Sequence, residues 1–65
     1  MTRMIATILN ANNRWLSIND IKNIIFSQYG ISADYNAIYY ALNYSRLAED
    51  IQKDLNSTPQ RYKLA

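Results

Sequence analysis

Gly30 is the only glycine in a chain of 65 residues, and it falls between two stretches whose apolar residues recur at helical spacing. Upstream, Ile18, Ile21, Ile25 and Tyr29 share one face, with Asp20, Asn23 and Ser27 opposite, and Ile24 and Phe26 widen the apolar stripe. Downstream, Ile38, Ala41, Leu42 and Ser45 share another. Glycine enters the left-handed conformation without a Cβ clash, so Gly30 ends the first of these helices and turns the chain into the second. Two helices meeting at a tight corner are the starting constraint.

The flanking residues extend the pattern. Ser17 is placed to cap the helix that begins at Ile18, and Asp20 can reach back to it while its charge favours the helix N-terminus. Ile31 reads as a buried turn residue and Ser32 as the cap of the following helix. That helix ends between Ser45 and Ala48, because continuing it would put Leu47 on the outer arc. Nearer the N-terminus, Met4, Ile5, Ile8 and Leu9 oppose Arg3, Thr7 and Asn10, which predicts a helix from Thr2 to Asn12 stopped by Asn12-Asn13. Arg14-Trp15-Leu16 is a short extended link. After the last helix, Ile51, Lys53 and Leu55 alternate with Gln52 and Asp54, and Gln60 to Leu64 alternate again beyond Asn56-Ser57-Thr58-Pro59. Two strands joined by a polar turn result, with Tyr62 and Leu64 facing the core and Arg61 and Lys63 facing outward. The fold class is mainly α with a small β-hairpin, in a single domain over residues 1–65.

Composition narrows the chemistry. A chain this short buries roughly 60% of the surface it exposes when unfolded, and 49% apolar residues with one Gly and one Pro suit a packed domain. With no Cys there is no disulfide or thiolate metal site, and with no His the usual general base is missing as well. Glu49, Asp50 and Asp54 read as a solvated junction without a catalytic partner set, and a lone Gly30 cannot cradle a nucleotide. No enzyme, metal or cofactor is expected. No apolar run approaches the roughly 20 residues of a membrane span and no signal-peptide pattern is visible, so a cytoplasmic protein without a membrane partner is expected. The net charge of +2 is compatible with nucleic acid without demanding it.

Helix, short strand, helix, tight turn, helix and hairpin, in that order, resembles the winged helix-turn-helix over essentially the whole chain. The resemblance rests on Trp15-Leu16-Ser17, the Gly30-Ile31-Ser32 turn, the Ile38 to Leu42 core and the polar hairpin. It implies three helices, a short first strand, a C-terminal two-stranded wing, and DNA binding. The segment Arg14 to Ile21, with Tyr44-Ser45-Arg46 and Ile51, is also similar to small enterobacterial regulators of the CaiF/GrlA and PapI/FaeA kinds. Those families imply a transcriptional regulator whose third helix enters the major groove, although their recognition helices are more basic than this one.

Candidate DNA contacts follow. Asn36, Tyr39, Tyr40, Asn43 and Arg46 lie on the outer side of the third helix, where Asn can pair with an adenine edge and Tyr hydroxyls can reach phosphates. In the hairpin, Lys53, Arg61 and Lys63 flank Asn56-Ser57-Thr58 and can lie along a phosphate backbone. If Arg46, Lys53, Arg61 and Lys63 each neutralise one phosphate, log affinity should fall against log salt with a slope of about −3.6. Arg14 is a weaker contact, Trp15 reads as a core anchor, and Tyr35 and Tyr44 read as the rim of the core. The same Tyr-rich helix also supports an alternative: a protein-interaction or self-association module, including a homodimer.

Overall fold

Two reciprocal hydrogen bonds start the central helix. The Ser17 hydroxyl accepts from the Asp20 N–H at 3.1 Å, and the Asp20 carboxylate accepts from the Ser17 N–H at 3.0 Å. This capping box satisfies two amides that the first helical turn would otherwise leave unpaired. The computed structural model describes residues 1–65. Its elements are helix α1 (Thr2–Asn12), strand β1 (Leu16–Ser17), helices α2 (Ile18–Tyr29) and α3 (Tyr35–Tyr44), a 3₁₀ segment (Arg46–Asp50), and strands β2 (Ile51–Asp54) and β3 (Arg61–Leu64). Helix ends follow the expected chemistry. Asn13 (φ 41°) closes α1 and Gly30 (φ 66°) closes α2, both left-handed, with their N–H groups donating to the Leu9 and Phe26 carbonyls.

The three strands form one antiparallel sheet in the order β1-β3-β2. Leu16 lies opposite Tyr62 across one ladder and Lys53 lies opposite Tyr62 across the other, which puts β3 in the middle. The helices supply most of the core: Ile5, Ile8 and Leu9 from α1, Ile18, Ile21 and Ile25 from α2, and Ile38, Ala41 and Leu42 from α3. Leu16, Ala33, Leu47 and Tyr62 complete it, and Ile24, Ile51 and Leu64 pack half-buried against it. No buried side-chain nitrogen or oxygen lacks a hydrogen-bond partner. No helix is long and apolar enough to cross a membrane.

Several expectations are corrected by the packing. Phe26 is 64% exposed, whereas Ile24, on the other flank of the Ile18-Ile21-Ile25 line, is half-buried against the core. Ile31 is exposed and the smaller Ala33 fills the buried turn position. Ser32 caps nothing; α3 starts at Tyr35 with Asp34 at the cap position and no side-chain cap bond. Ser45 is outside α3, where its hydroxyl donates to the Ala41 carbonyl and accepts from the Leu47 N–H at 3.2 Å, so it ends one helix and caps the 3₁₀ segment. That segment, unread in the sequence, turns Leu47 inward. Strand β2 stops at Asp54, leaving Leu55 exposed in the turn. Trp15 is half-buried outside the core cluster, and the neighbouring Leu16 takes the inward place.

Candidate functional site

Eight side chains are aromatic, and only Tyr62 among them is buried. Aliphatic residues build the core and leave the rings outside, an inversion that matters because large exposed apolar groups in a cluster mark contact surfaces. Helix α3 carries most of them. Tyr35 and Tyr44, expected at the core rim, are 46% and 70% exposed, while Tyr39 and Tyr40 are 37% and 61% exposed. At about 100° per residue, Ile38, Ala41 and Leu42 take the inward arc and Tyr44 lies well round the cylinder from Ile38; Tyr35 is on the side of Leu42, but as the first residue of α3 it borders the hairpin groove.

The same spacing divides the outer arc of α3 into three stripes. Tyr35 and Tyr39 lie on the flank beside the hairpin, Asn36 and Asn43 in the middle, and Tyr40 and Tyr44 on the flank beside the start of α1. Three rings touch across the stripes. Tyr39 meets Tyr40 edge-on at 5.9 Å between centroids, and Tyr40 meets Tyr44 at 5.3 Å. Such pairs hold each other in place and reduce the freedom lost on binding. The middle stripe is half committed: the Asn43 amide donates to the Tyr39 carbonyl at 2.9 Å, which orients it, while Asn36 is exposed. No charged side chain occurs between Tyr35 and Tyr44.

A groove of about 340 Å³ separates α3 from the hairpin. Tyr35 and Tyr39 form one wall, Leu55, Ser57, Thr58, Pro59 and Gln60 the other, and Ile18, Asn19 and Tyr62 the floor and end. Its polar lining is neutral: hydroxyls and amides, with no carboxylate. Asn19, Leu55 and Gln60 were not among the contact residues expected from the sequence, because the groove is assembled from segments distant in the chain.

The hairpin cations do not act as one set. Directly opposed residues in an antiparallel ladder share a face, so Lys53 lies on the face of Tyr62, towards the helices, while Arg61 and Lys63 lie on the opposite face. Arg61 is also engaged. Its guanidinium donates to the Asp54 carboxylate at 3.0 Å, the Ser57 hydroxyl donates to the same oxygen at 2.7 Å, and the Asn56 N–H donates to the other oxygen at 3.2 Å. Asp54 is therefore the staple of the hairpin and not part of a solvated acidic junction. The Ser57 hydroxyl first, and then the Arg61 guanidinium, hold its carboxyl below the ordinary range. Arg46, expected on the outer side of the third helix, lies beyond its end as the first residue of the 3₁₀ segment, because α3 stops at Tyr44; it is exposed, as is Arg14 before β1. The expected cradle of Lys53, Arg61 and Lys63 is thus divided between two faces.

No group of three His, Cys, Asp or Glu side chains is placed to hold a metal ion. Compared with protein-family models, curated proteins and solved structures, the chain matches none.

Proposed function

We propose that the protein is a small winged-helix regulator that binds double-stranded DNA, with α3 in the major groove and the hairpin on the phosphate backbone. The observation that carries this reading is the continuity of one surface. The stripe of exposed Asn36 and half-buried Asn43 runs into the Tyr35 and Tyr39 wall and across a neutral, carboxylate-free groove to the hairpin. The order of elements and the β1-β3-β2 sheet support the same reading, since they present α3 and the hairpin side by side.

Roles divide by chemistry. Asn36, Asn43 and Tyr39 meet base edges, where amide and hydroxyl groups can distinguish donor from acceptor. Ser57 and Thr58 offer hydroxyls to phosphates, and Lys53 and Arg46 supply the charge on the α3 side. Arg61 stiffens the hairpin through Asp54, and Lys63 lies on the far face of the sheet. Two neutralised phosphates give a salt slope of about −1.8, half the value expected if all four cations took part.

Titrating a random duplex into labelled protein at low salt tests this by NMR. Amide shifts concentrated in α3 and the hairpin are the expected result. Lys53→Ala should reduce the salt slope by about 0.9, whereas Lys63→Ala should leave it nearly unchanged. A silent spectrum at low salt overturns the reading.

A further inference from the structure

The polar groups on the outer arc of α3 are not equal as readers of base pairs. Asn36 is exposed in the first turn, the part of a recognition helix that reaches base edges, and its amide sets a donor beside an acceptor. Asn43 is different. Its amide already donates to the Tyr39 carbonyl at 2.9 Å, so its oxygen is the group left to accept. Tyr39 and Tyr40 stand on either side of this line, their rings edge-on at 5.9 Å. What the helix lacks is a cation. No Lys or Arg occurs from Tyr35 to Tyr44, and Arg46 belongs to the 3₁₀ segment beyond the helix end. Asp34, exposed at the cap position with no side-chain cap bond, adds a carboxylate acceptor at the helix start.

We infer that the base pairs read by α3 are A·T, an inference that rests on the DNA reading above. In the major groove adenine shows an acceptor beside a donor, the pattern that a single asparagine amide meets with both of its ends. Asn36 is placed to do so. Thymine adds a methyl group, which the flat rings of Tyr39 and Tyr40 can cover. Guanine shows two acceptors instead, and its usual partner is the paired donors of Arg or the ammonium of Lys. The helix offers neither, and the Asp34 carboxylate sets a third acceptor against those two. Asn43 does not choose, because its oxygen accepts from the amino group of adenine or of cytosine alike. Preference therefore resides in Asn36 and the two tyrosine rings, with guanine excluded for want of a donor pair.

Four duplexes of equal length test this by fluorescence anisotropy at one low salt concentration: A·T, G·C, inosine·cytosine and diaminopurine·thymine. Inosine·cytosine keeps the major-groove edge of G·C with the minor groove of A·T, and diaminopurine·thymine does the reverse. The protein should bind A·T and diaminopurine·thymine about tenfold more tightly than the other two, as one bidentate contact is worth. Asn36→Ala should bring the four affinities close together by weakening the first pair, while Asn43→Ala should keep their ratio; unchanged thermal melts establish that both variants are folded. Equal binding of all four duplexes overturns the inference and leaves the DNA reading standing. A preference for A·T with inosine·cytosine also overturns it, since the minor groove would then be what is read. Binding to none of the four removes the DNA reading and this inference with it.

Discussion

Asp54 shows how one residue can change the meaning of its neighbours. Its carboxylate gathers Arg61, Ser57 and the Asn56 amide, turning a cation expected to face a phosphate into part of the hairpin's own structure. These donors favour the charged form, so the folded carboxyl titrates below its ordinary 3.8. A lowered folded value means that the unfolded chain takes up the proton first as pH falls. Its stabilising effect is full above 3.8 and is lost as pH drops through the folded value. Carbon-detected titration should place the Asp54 midpoint below 3.8, with the Asn56 and Ser57 amides moving in the same step. Asp54→Asn should remove that step; a midpoint at or above the ordinary value would show that the staple does not form in solution. In the sequence Asp54 was one acid among Glu49 and Asp50, and nothing local ties it to a partner seven positions away.

At the scale of elements, the ends of α1 and α2 were readable because their chemistry is local, whereas the start of α3, expected behind Ser32 and Ile31, falls at Tyr35 behind Asp34. Ser17 with Asp20, Asn13 and Gly30 each satisfy or redirect amides within a few residues, and the helices end where these residues stand. Gly30 gives a clean test. A Cβ added there would meet nothing within 4 Å, so the cost of Gly30→Ala is purely that of holding φ at 66°. The expected loss is about 1 to 2 kcal/mol, measured as a lower urea midpoint with an unchanged slope. A variant as stable as the parent would contradict the left-handed corner. Helix α3 was harder to read because its sides are chosen by neighbours. Tyr35 and Tyr44 would have suited a core rim, but Ile38, Ala41 and Leu42 fill the inward arc, Tyr44 lies well round from Ile38, and Tyr35 borders the hairpin groove. The 3₁₀ segment is a compromise of the same kind: α3 must stop for Leu47 to reach the core, and the Ser45 hydroxyl serves both ends of the break.

The whole molecule depends on Tyr62. It is 1% exposed, the only ring in the core, and it sits in the central strand with Leu16 on one side and Lys53 on the other. Losing it would open a cavity where helices and sheet meet. Tyr62→Ala should cost about 3 to 5 kcal/mol, against a total of roughly 3 to 10 kcal/mol for a domain this size. The variant should lose that amount in urea unfolding and melt far below the parent by circular dichroism, while Tyr62→Phe keeps the ring and should melt close to the parent. A Tyr62→Ala variant as stable as the parent would mean that the hairpin is peripheral to the fold. Helical periodicity, strand alternation and capping are set by residues within a few positions of one another, so element order, most of the core and the outward side of α3 could be read from the chain. Which cations share a face, which rings stay outside and where a groove opens depend on register and on which side chain wins a limited interior. Those choices are made between segments far apart in sequence: β3 across from β2 puts Lys53 and Lys63 on opposite faces, and an aliphatic interior leaves seven of the eight aromatic rings at or near the surface.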